Sequence, residues 1–178
     1  MQDDKKKTGK KLLIVCLIVL IVIFLLTSIW LLFFRKPDEH LVPDYAPYEL
    51  ESNAQVIDGN DTAPKLESPD GGGAVSLTYS KTVRVSLSEK TLSLLIGNPN
   101  KSDQDIVFQV VINDTVIAQS GRLIPGHQVQ KMNLNTDVTK QLEEGGYDGK
   151  IIIYYYDRQT GEKAMLNTEI PVTLIVDN

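Results

Sequence analysis

The stretch LEEGGYDGKIIIYYYDRQTGEK, residues 142–163, places three isoleucines and three tyrosines in succession between a glycine pair and a polar turn. β-Branched and aromatic side chains fit the pleated surface of a sheet, so this run predicts a strand. Because successive side chains point to opposite faces of a strand, an unbroken apolar run is apolar on both faces. The stretch therefore raises the question of what covers its second face.

The residues just before this run have the form L-x-x-G-x-Y. In immunoglobulin-like sandwiches, a tyrosine that enters the penultimate strand turns its hydroxyl back onto upstream backbone, an arrangement called the tyrosine corner. The spacing predicts this role for Tyr147, with Leu142 packing beneath it and Gly145 allowing the bend. The alternative is an ordinary glycine loop followed by a core tyrosine.

Alternation from an inward-pointing Tyr147 divides the run into two sets of side chains. The set predicted to lie in the core is Ile151, Ile153 and Tyr155. The set predicted to lie on the outer face, which we name the tyrosine stripe, is Ile152, Tyr154 and Tyr156. Three coverings of the stripe are open: the chain's own N-terminal region docking through Tyr45 and Tyr48, another protein, or a cell-wall or host glycan that stacks on the rings.

Short apolar or alternating runs, separated by turn residues, fill residues 74–178 around this motif. Turn signals at intervals of about 8 to 12 residues are typical of a sandwich or barrel. Asn113-Asp114, between two apolar runs, predicts a two-residue hairpin turn. The predicted strands lie near residues 75–79, 82–87, 91–97, 105–112, 115–119, 127–134, 150–156 and 163–176.

Residues 12–34 form a run of 23 residues without a charged side chain. A helix of this length crosses the hydrocarbon core of a bilayer, which is about 30 Å thick. The run is too long for the apolar region of a cleaved signal peptide, so we predict an uncleaved transmembrane anchor. Five lysines within residues 1–11 precede it and acidic residues follow it. By the positive-inside rule, residues 1–11 are a cytoplasmic tail and the C-terminal domain is extracellular, in a single-pass protein of the cell membrane.

Residues 35–73 contain five prolines and nine acidic side chains, and they lack a sustained hydrophobic period. This composition predicts a charged, semi-extended stalk between the anchor and the domain. Two stretches inside it, LVPDYAPYELE at 41–51 and AQVID at 54–58, are more apolar than a solvated spacer needs. The acidic exterior disfavours nucleic acid as a partner.

Catalytic and metal-binding patterns are lacking in the sequence. The two histidines, His40 and His127, are far apart, and the only cysteine, Cys16, lies in the predicted anchor, so an ordinary zinc site cannot be assembled. DGNDT at 58–62 begins like a calcium loop but lacks the glycine and the final glutamate that such a loop requires. No serine has the context of a nucleophile. We predict a protein that is not an enzyme and that uses no cofactor and no metal.

Two stretches, LLIGNPNKSDQDIVFQVVINDTVIAQSGRLIPGHQV at 94–129 and LEEGGYDGKIIIYYYDRQTGEKAMLNTEIPVTLIV at 142–176, carry a resemblance to a group of known proteins. Together with the anchor, they resemble small membrane-anchored surface proteins of Gram-positive bacteria with an Ig-like or fibronectin-III-like outer domain. The resemblance implies an all-β fold, an antiparallel Ig-like or fibronectin-III-like sandwich of about seven to eight strands. It implies a place at the cell surface and no functional residue. The chain lacks the tryptophan and cysteine pair of antibody-type domains.

These features predict a single-pass, membrane-anchored binding module that mediates protein or cell-envelope interactions outside the cell without catalysis. One alternative is a structural or accessory subunit of a membrane-associated envelope assembly. A second alternative is a glycan-binding adhesin that uses the tyrosine stripe. The predicted partners are the membrane through residues 12–34, a protein, and a cell-wall or host glycan.

Overall fold

The computed structural model describes residues 17–27, 42–57, 64–67, 73–135, 138 and 141–178. The chain forms two compact units, Met1–Glu39 and His40–Asn178. The tail at 1–11 lies outside the described residues, as does the calcium-like stretch at 58–62.

The helix of the first unit, α1, covers residues 17–27 of the described part. From Leu17 to Leu26 every residue is a large apolar one, and each exposes between 48% and 71% of its surface. At its end, the Thr27 hydroxyl donates to the Ile23 carbonyl at 3.0 Å. Among the residues that the structure describes, no helix combines the length and the hydropathy that a membrane crossing requires. The flanking parts of the predicted anchor, 12–16 and 28–34, lie outside these residues, so the anchor stays a prediction.

The described part of the second unit contains nine strands, which confirms the predicted β class. They are β1 Ala54–Val56, β2 Thr78–Tyr79, β3 Thr82–Ser86, β4 Thr91–Asn98, β5 Gln104–Ile112, β6 Thr115–Gln119, β7 His127–Asn133, β8 Gly145–Asp157 and β9 Lys163–Asp177. Each of the eight predicted strands has a counterpart among them. The strand that was not predicted is β1, which lies within the predicted stalk.

The strands form one continuous sheet in the order β1-β7-β4-β3-β9-β8-β5-β6, with β2 paired to β4. Neighbouring strands are antiparallel except for β3 and β9, which pair in parallel from Thr82 with Thr173 to Ser86 with Asp177. This parallel pair joins a group of five strands, which includes β2, to a group of four strands in a single curled sheet. The sandwich of two sheets that was predicted is not shown by this pairing, and it stays a prediction.

One large hydrophobic core receives side chains from β3 through β9. Alternation is clear in β3, where Val83 and Val85 are buried and Arg84 between them is exposed. Strand β5, which lies between β8 and β6, is buried along almost its whole length, and Phe108 is fully buried in the core. Both β5 and β8 contribute several fully buried side chains to this core.

Residues 42–57, which lie within the predicted stalk, are bonded to the sheet. Glu51 is only 8% exposed, and its carboxylate accepts a hydrogen bond from the Gly121 N–H at 2.7 Å. Backbone bonds connect the same region to Arg122, whose N–H donates to the Glu49 carbonyl at 3.1 Å. A little further along, Ala54 pairs with Val129 of β7. Prolines and acidic side chains suggested a spacer, but this backbone is paired to the sheet.

Candidate interaction surface

Side chains of residues 151–156 in β8 belong to two different hydrophobic clusters. Ile151 and Ile153 are fully buried in the main core, and Tyr155 packs against the same core. Tyr154 and Tyr156 belong instead to a second, smaller cluster on the outer face. Side chains of the run therefore divide between two clusters, one on each face of the strand.

Tyr147 lies at the start of this pattern and turns its hydroxyl back onto upstream backbone. The hydroxyl donates to the Glu143 carbonyl at 3.0 Å and accepts from the Glu143 N–H at 3.3 Å. Leu142 packs against the main core together with Tyr147. Gly145 has a φ of 150°, a conformation that other residues rarely adopt. The hydroxyl therefore bonds to backbone four residues upstream, as it does in a tyrosine corner, and the tyrosine corner of a sandwich domain stays a prediction.

The outer cluster is built from the tyrosine stripe and from residues that precede the sheet. Val42, Val107 and Tyr156 form its buried centre, and Ala46 and Tyr154 pack against it. Tyr156 has no exposed surface, and its hydroxyl donates to the Pro43 carbonyl at 2.9 Å. The chain's own residues 42–46, which we name the docked segment, therefore cover this end of the stripe.

Lys163 holds the docked segment at three points. Its backbone N–H donates to the Asp44 carbonyl at 2.9 Å, and its ammonium group donates to the Val42 carbonyl at 3.1 Å. The ammonium group also lies 3.0 Å from the Asp44 carboxylate, which is 88% exposed, so this ion pair adds little stability. The Ala46 N–H donates to the Gly161 carbonyl at 2.7 Å. Main-chain bonds and apolar contacts, more than charge, fix the segment.

The residues predicted to dock, Tyr45 and Tyr48, are not the ones whose side chains are buried. Tyr45 forms a backbone bridge with Glu162, while its side chain is 61% exposed, and Tyr48 is fully exposed. The smaller Val42 and Ala46 fill the space over Tyr156. Val42 and Ala46, four positions apart, were the relevant apolar pair in the sequence. The larger Tyr45 and Tyr48 close to them were chosen as the docking residues instead.

The remaining members of the stripe are half-buried and engaged within the sheet. The Tyr154 hydroxyl donates to the Gln109 amide oxygen at 3.2 Å. The Gln109 amide nitrogen in turn donates to the Gln119 amide oxygen at 2.8 Å. Ile152 lies opposite Gln109 on the neighbouring strand and is partly buried. The stripe is therefore not an open aromatic platform for a sugar.

A buried carboxylate with two arginines lies beside the outer cluster, and no pattern in the sequence predicted it. Asp105 is 4% exposed and pairs with Tyr156 in register. The Arg158 Nε lies 3.3 Å and the Arg122 Nε 3.7 Å from its carboxylate oxygens. Burial raises the pKa of Asp105, and the arginines partly offset this effect. Asp105 lies at the start of β5, Arg158 follows β8 and Arg122 lies beyond β6, so these distant residues meet only because the sheet brings them together. The Arg122 N–H also donates to the Glu49 carbonyl, which links this group to the residues before the sheet.

The part of the chain that the structure describes offers no candidate metal site. These residues contain no group of three or more histidine, cysteine, aspartate or glutamate side chains that could hold a metal ion. His127 lies in β7, where its Nδ1 is 3.2 Å from the Pro125 carbonyl. His40 and Cys16 lie outside the described residues.

The first half of β9 has one side that no described strand pairs with. Strand β8 pairs along one side of β9, and on the other side β3 pairs only with residues 173–177. The Thr173 N–H donates to the Lys81 carbonyl at 2.9 Å, away from β8. Because backbone groups alternate in direction along an antiparallel strand, those of Asn167, Glu169 and Pro171 point to this same side. Proline is tolerated on such a side because it has no N–H to pair. We name residues 164–172 the open edge.

The open edge begins with a bulge that carries two exposed apolar side chains. Tyr154 pairs with Asn167, whereas Tyr156 pairs with Lys163, so three residues of β9 lie opposite Tyr155 alone. Within this bulge, Met165 and Leu166 are 103% and 79% exposed. Bulges redirect side chains at the edges of sheets. Here the bulge places apolar surface in solvent beside backbone groups with which no described strand pairs.

Alkaline titration is expected to report the burial of Tyr156. Burial, with smaller contributions from Tyr154 and Asp44, raises the pKa of Tyr156 to about 12. An unfolded tyrosine titrates near pH 10, so between these values the folded state holds more protons than the unfolded state. Stability therefore falls as pH rises from about 10 toward 12. We expect Tyr156→Phe to lose less stability over this range than the wild type.

The measurement is the urea midpoint of both proteins at about pH 9 and about pH 11. At the lower pH, Tyr156→Phe should be less stable by about 1 kcal/mol, because the bond to the Pro43 carbonyl is lost. At the higher pH this difference should shrink. A difference that stays the same at both pH values would show that the hydroxyl titrates as in the unfolded chain.

Comparison with known proteins yields only slight structural likenesses. No protein-family model matches the chain, and no curated protein is found as a relative. A solved structure of AggA, the major subunit of aggregative adherence fimbriae type I of Escherichia coli, is 11% identical and covers 63% of this chain and 100% of its own, with a TM-score of 0.28. The CooA pilin subunit of enterotoxigenic Escherichia coli is 18% identical and covers 64% of this chain and 98% of its own, with a TM-score of 0.27. TM-scores this low support no inference about fold or function.

Proposed function

We propose that the chain is a non-catalytic, membrane-anchored structural subunit of an assembly in a Gram-positive cell envelope, and that its extracellular Ig-like domain binds a neighbouring protein. The observation that carries this proposal is the open edge of β9 with the exposed Met165 and Leu166 beside it. An unpaired strand edge accepts an extended segment of another chain as an additional strand. The partner is therefore a protein with an extended, partly apolar segment.

The open edge supplies both parts of such an interface. The backbone N–H and C=O groups of Asn167 and Glu169 can pair with a partner strand, and exposed Met165 and Leu166 can anchor apolar side chains. The Glu169 carboxylate lies 3.0 Å from the Lys150 ammonium group, so its charge is already compensated within the domain. A partner strand can approach this edge without having to neutralise a buried charge.

The occupied tyrosine stripe favours this function over a glycan-binding adhesin. A sugar would need open aromatic faces, but Tyr156 is buried beneath the docked segment and Tyr154 is hydrogen-bonded to Gln109. The apolar exposure of α1 supports anchoring, because ten consecutive large apolar residues that each expose half their surface are costly in water. The N-terminus is cytoplasmic in this proposal.

Site-specific photo-crosslinking in native membranes tests the proposal. A photoreactive residue at Met165 is expected to yield a fixed set of crosslinked membrane proteins. The control position is Ser88, which is exposed in a turn near Asp177 at the other end of β9. Identical products from both positions, or none from Met165, would contradict binding at the open edge.

A pair of proline variants separates loss of binding from loss of folding. Asn167→Pro removes an N–H that points outward, so it should lower the yield of crosslinks from Met165 with a small loss of stability. Thr168→Pro removes an N–H that points to β8 opposite Ile153, so it should lower the urea midpoint markedly. Unchanged crosslinking in a folded Asn167→Pro protein would rule out strand pairing at this edge.

A further inference from the structure

We propose that the exposed aromatic and apolar side chains of residues 45–50 contact the headgroup region of the bilayer that holds the chain. This inference rests on the anchoring proposed above. It concerns a second surface of the domain, which contacts lipid, whereas the open edge binds a protein. These side chains lie at the C-terminal end of the docked segment and just beyond it.

Tyr45, Tyr48 and Leu50 hold their side chains outward on a stretch of backbone that is bonded to the rest of the domain. Tyr48 is fully exposed, Tyr45 is 61% exposed and Leu50 is 53% exposed. Tyr45 nevertheless forms a backbone bridge with Glu162, and Leu50 forms one with Arg122. A surface whose backbone is already ordered loses little conformational freedom when it binds.

The connection to the predicted anchor is short, and this favours the bilayer as the surface that these side chains contact. Only residues 35–41 lie between the anchor's last residue at 34 and Val42. Seven residues span at most roughly 25 Å when fully extended. Tyrosine is enriched at membrane interfaces because its ring lies in the apolar boundary while its hydroxyl remains hydrated. Two exposed tyrosines this soon after an anchor fit that boundary.

The charges around these side chains indicate which headgroups they would meet. Glu49 and Glu162 are exposed acids, and Asp44 is compensated by Lys163. Excess negative charge is repelled by anionic lipids. We therefore expect contact with zwitterionic phosphatidylcholine and no strengthening when phosphatidylglycerol is added.

Tryptophan quenching in nanodiscs tests the contact with the full-length chain. Trp30 is the only tryptophan and lies in the predicted anchor, so the wild type reports anchoring by itself. The double variant Trp30→Phe with Tyr48→Trp reports the proposed surface. Its matched control, Trp30→Phe with Ser88→Trp, places the indole at an exposed turn at the other end of β9. All three are compared in phosphatidylcholine with and without bromine atoms near the headgroup end of the acyl chains.

We expect brominated lipid to quench the wild type and the Tyr48→Trp variant, and to leave the Ser88→Trp control unchanged. Quenching of the wild type without quenching of the Tyr48→Trp variant overturns the surface while anchoring stands. An unquenched wild type overturns the anchoring, and the surface with it. Equal quenching of the Tyr48→Trp and Ser88→Trp variants also overturns the inference, because the domain would then lie on the bilayer without using this surface.

Discussion

Tyr156→Ser is expected to lower the free energy of unfolding by about 3 kcal/mol, the loss typical of truncating a buried aromatic side chain. Tyr156 has no exposed surface and packs with Val42 and Val107, so its removal leaves a cavity between the sheet and the docked segment. The bond from its hydroxyl to the Pro43 carbonyl is lost as well. Urea unfolding followed by circular dichroism measures the change.

The control for this substitution is Tyr48→Ser, which removes the same side chain from a fully exposed position. Substitutions at such positions usually change stability by less than about 0.5 kcal/mol. The two variants should therefore have clearly separated urea midpoints. Equal midpoints would mean that the docked segment does not cover the tyrosine stripe in solution.

Gly149→Ala is expected to destabilise the domain by about 3 kcal/mol, near the upper end of the usual cost of overpacking. Gly149 lies in β8, where a Cβ atom would be 2.5 Å from the Val111 carbonyl oxygen and would also overlap the side chain of Leu174. The carbonyl belongs to the paired strand β5 and cannot move away without breaking the ladder. Thermal or urea unfolding measures the loss.

Gly146→Ala, three residues earlier in the same strand, is the matched control. A Cβ atom at Gly146 would meet no atom within 4 Å. Alanine there should leave stability unchanged or raise it slightly, because it restricts the unfolded chain. A Gly149→Ala protein as stable as the Gly146→Ala protein would show that β5 and β8 are less closely packed than the structure indicates.

Local patterns were sufficient to predict most of the strands and the two faces of β8. Strand periodicity and turn residues are properties of neighbouring residues, so Asn113-Asp114 and the run after Gly149 could be interpreted directly. Both turn residues have positive φ, as the predicted hairpin requires. The division of the run at 151–156 followed from alternation alone once Tyr147 was taken to point inward.

Non-local pairing could not be predicted in the same way. The parallel alignment of β3 with β9 depends on residues about ninety positions apart, and nothing in either strand specifies the other. The docking of residues 42–57 depends likewise on Glu51 meeting Gly121 and on Val42 meeting Tyr156. The composition of a segment indicates whether it is soluble. It does not indicate whether the backbone of the segment forms hydrogen bonds with a sheet.

The docked segment also determines how the domain would respond to mechanical load. Tension applied from the N-terminal side enters the domain at Val42, so it acts on the hydrogen bonds from Tyr156 and Lys163 before it reaches β1. These few bonds would rupture before the long ladders between β8 and β9. Moderate tension would thus release the segment, leave the core folded, and expose Tyr156 as a force-dependent surface.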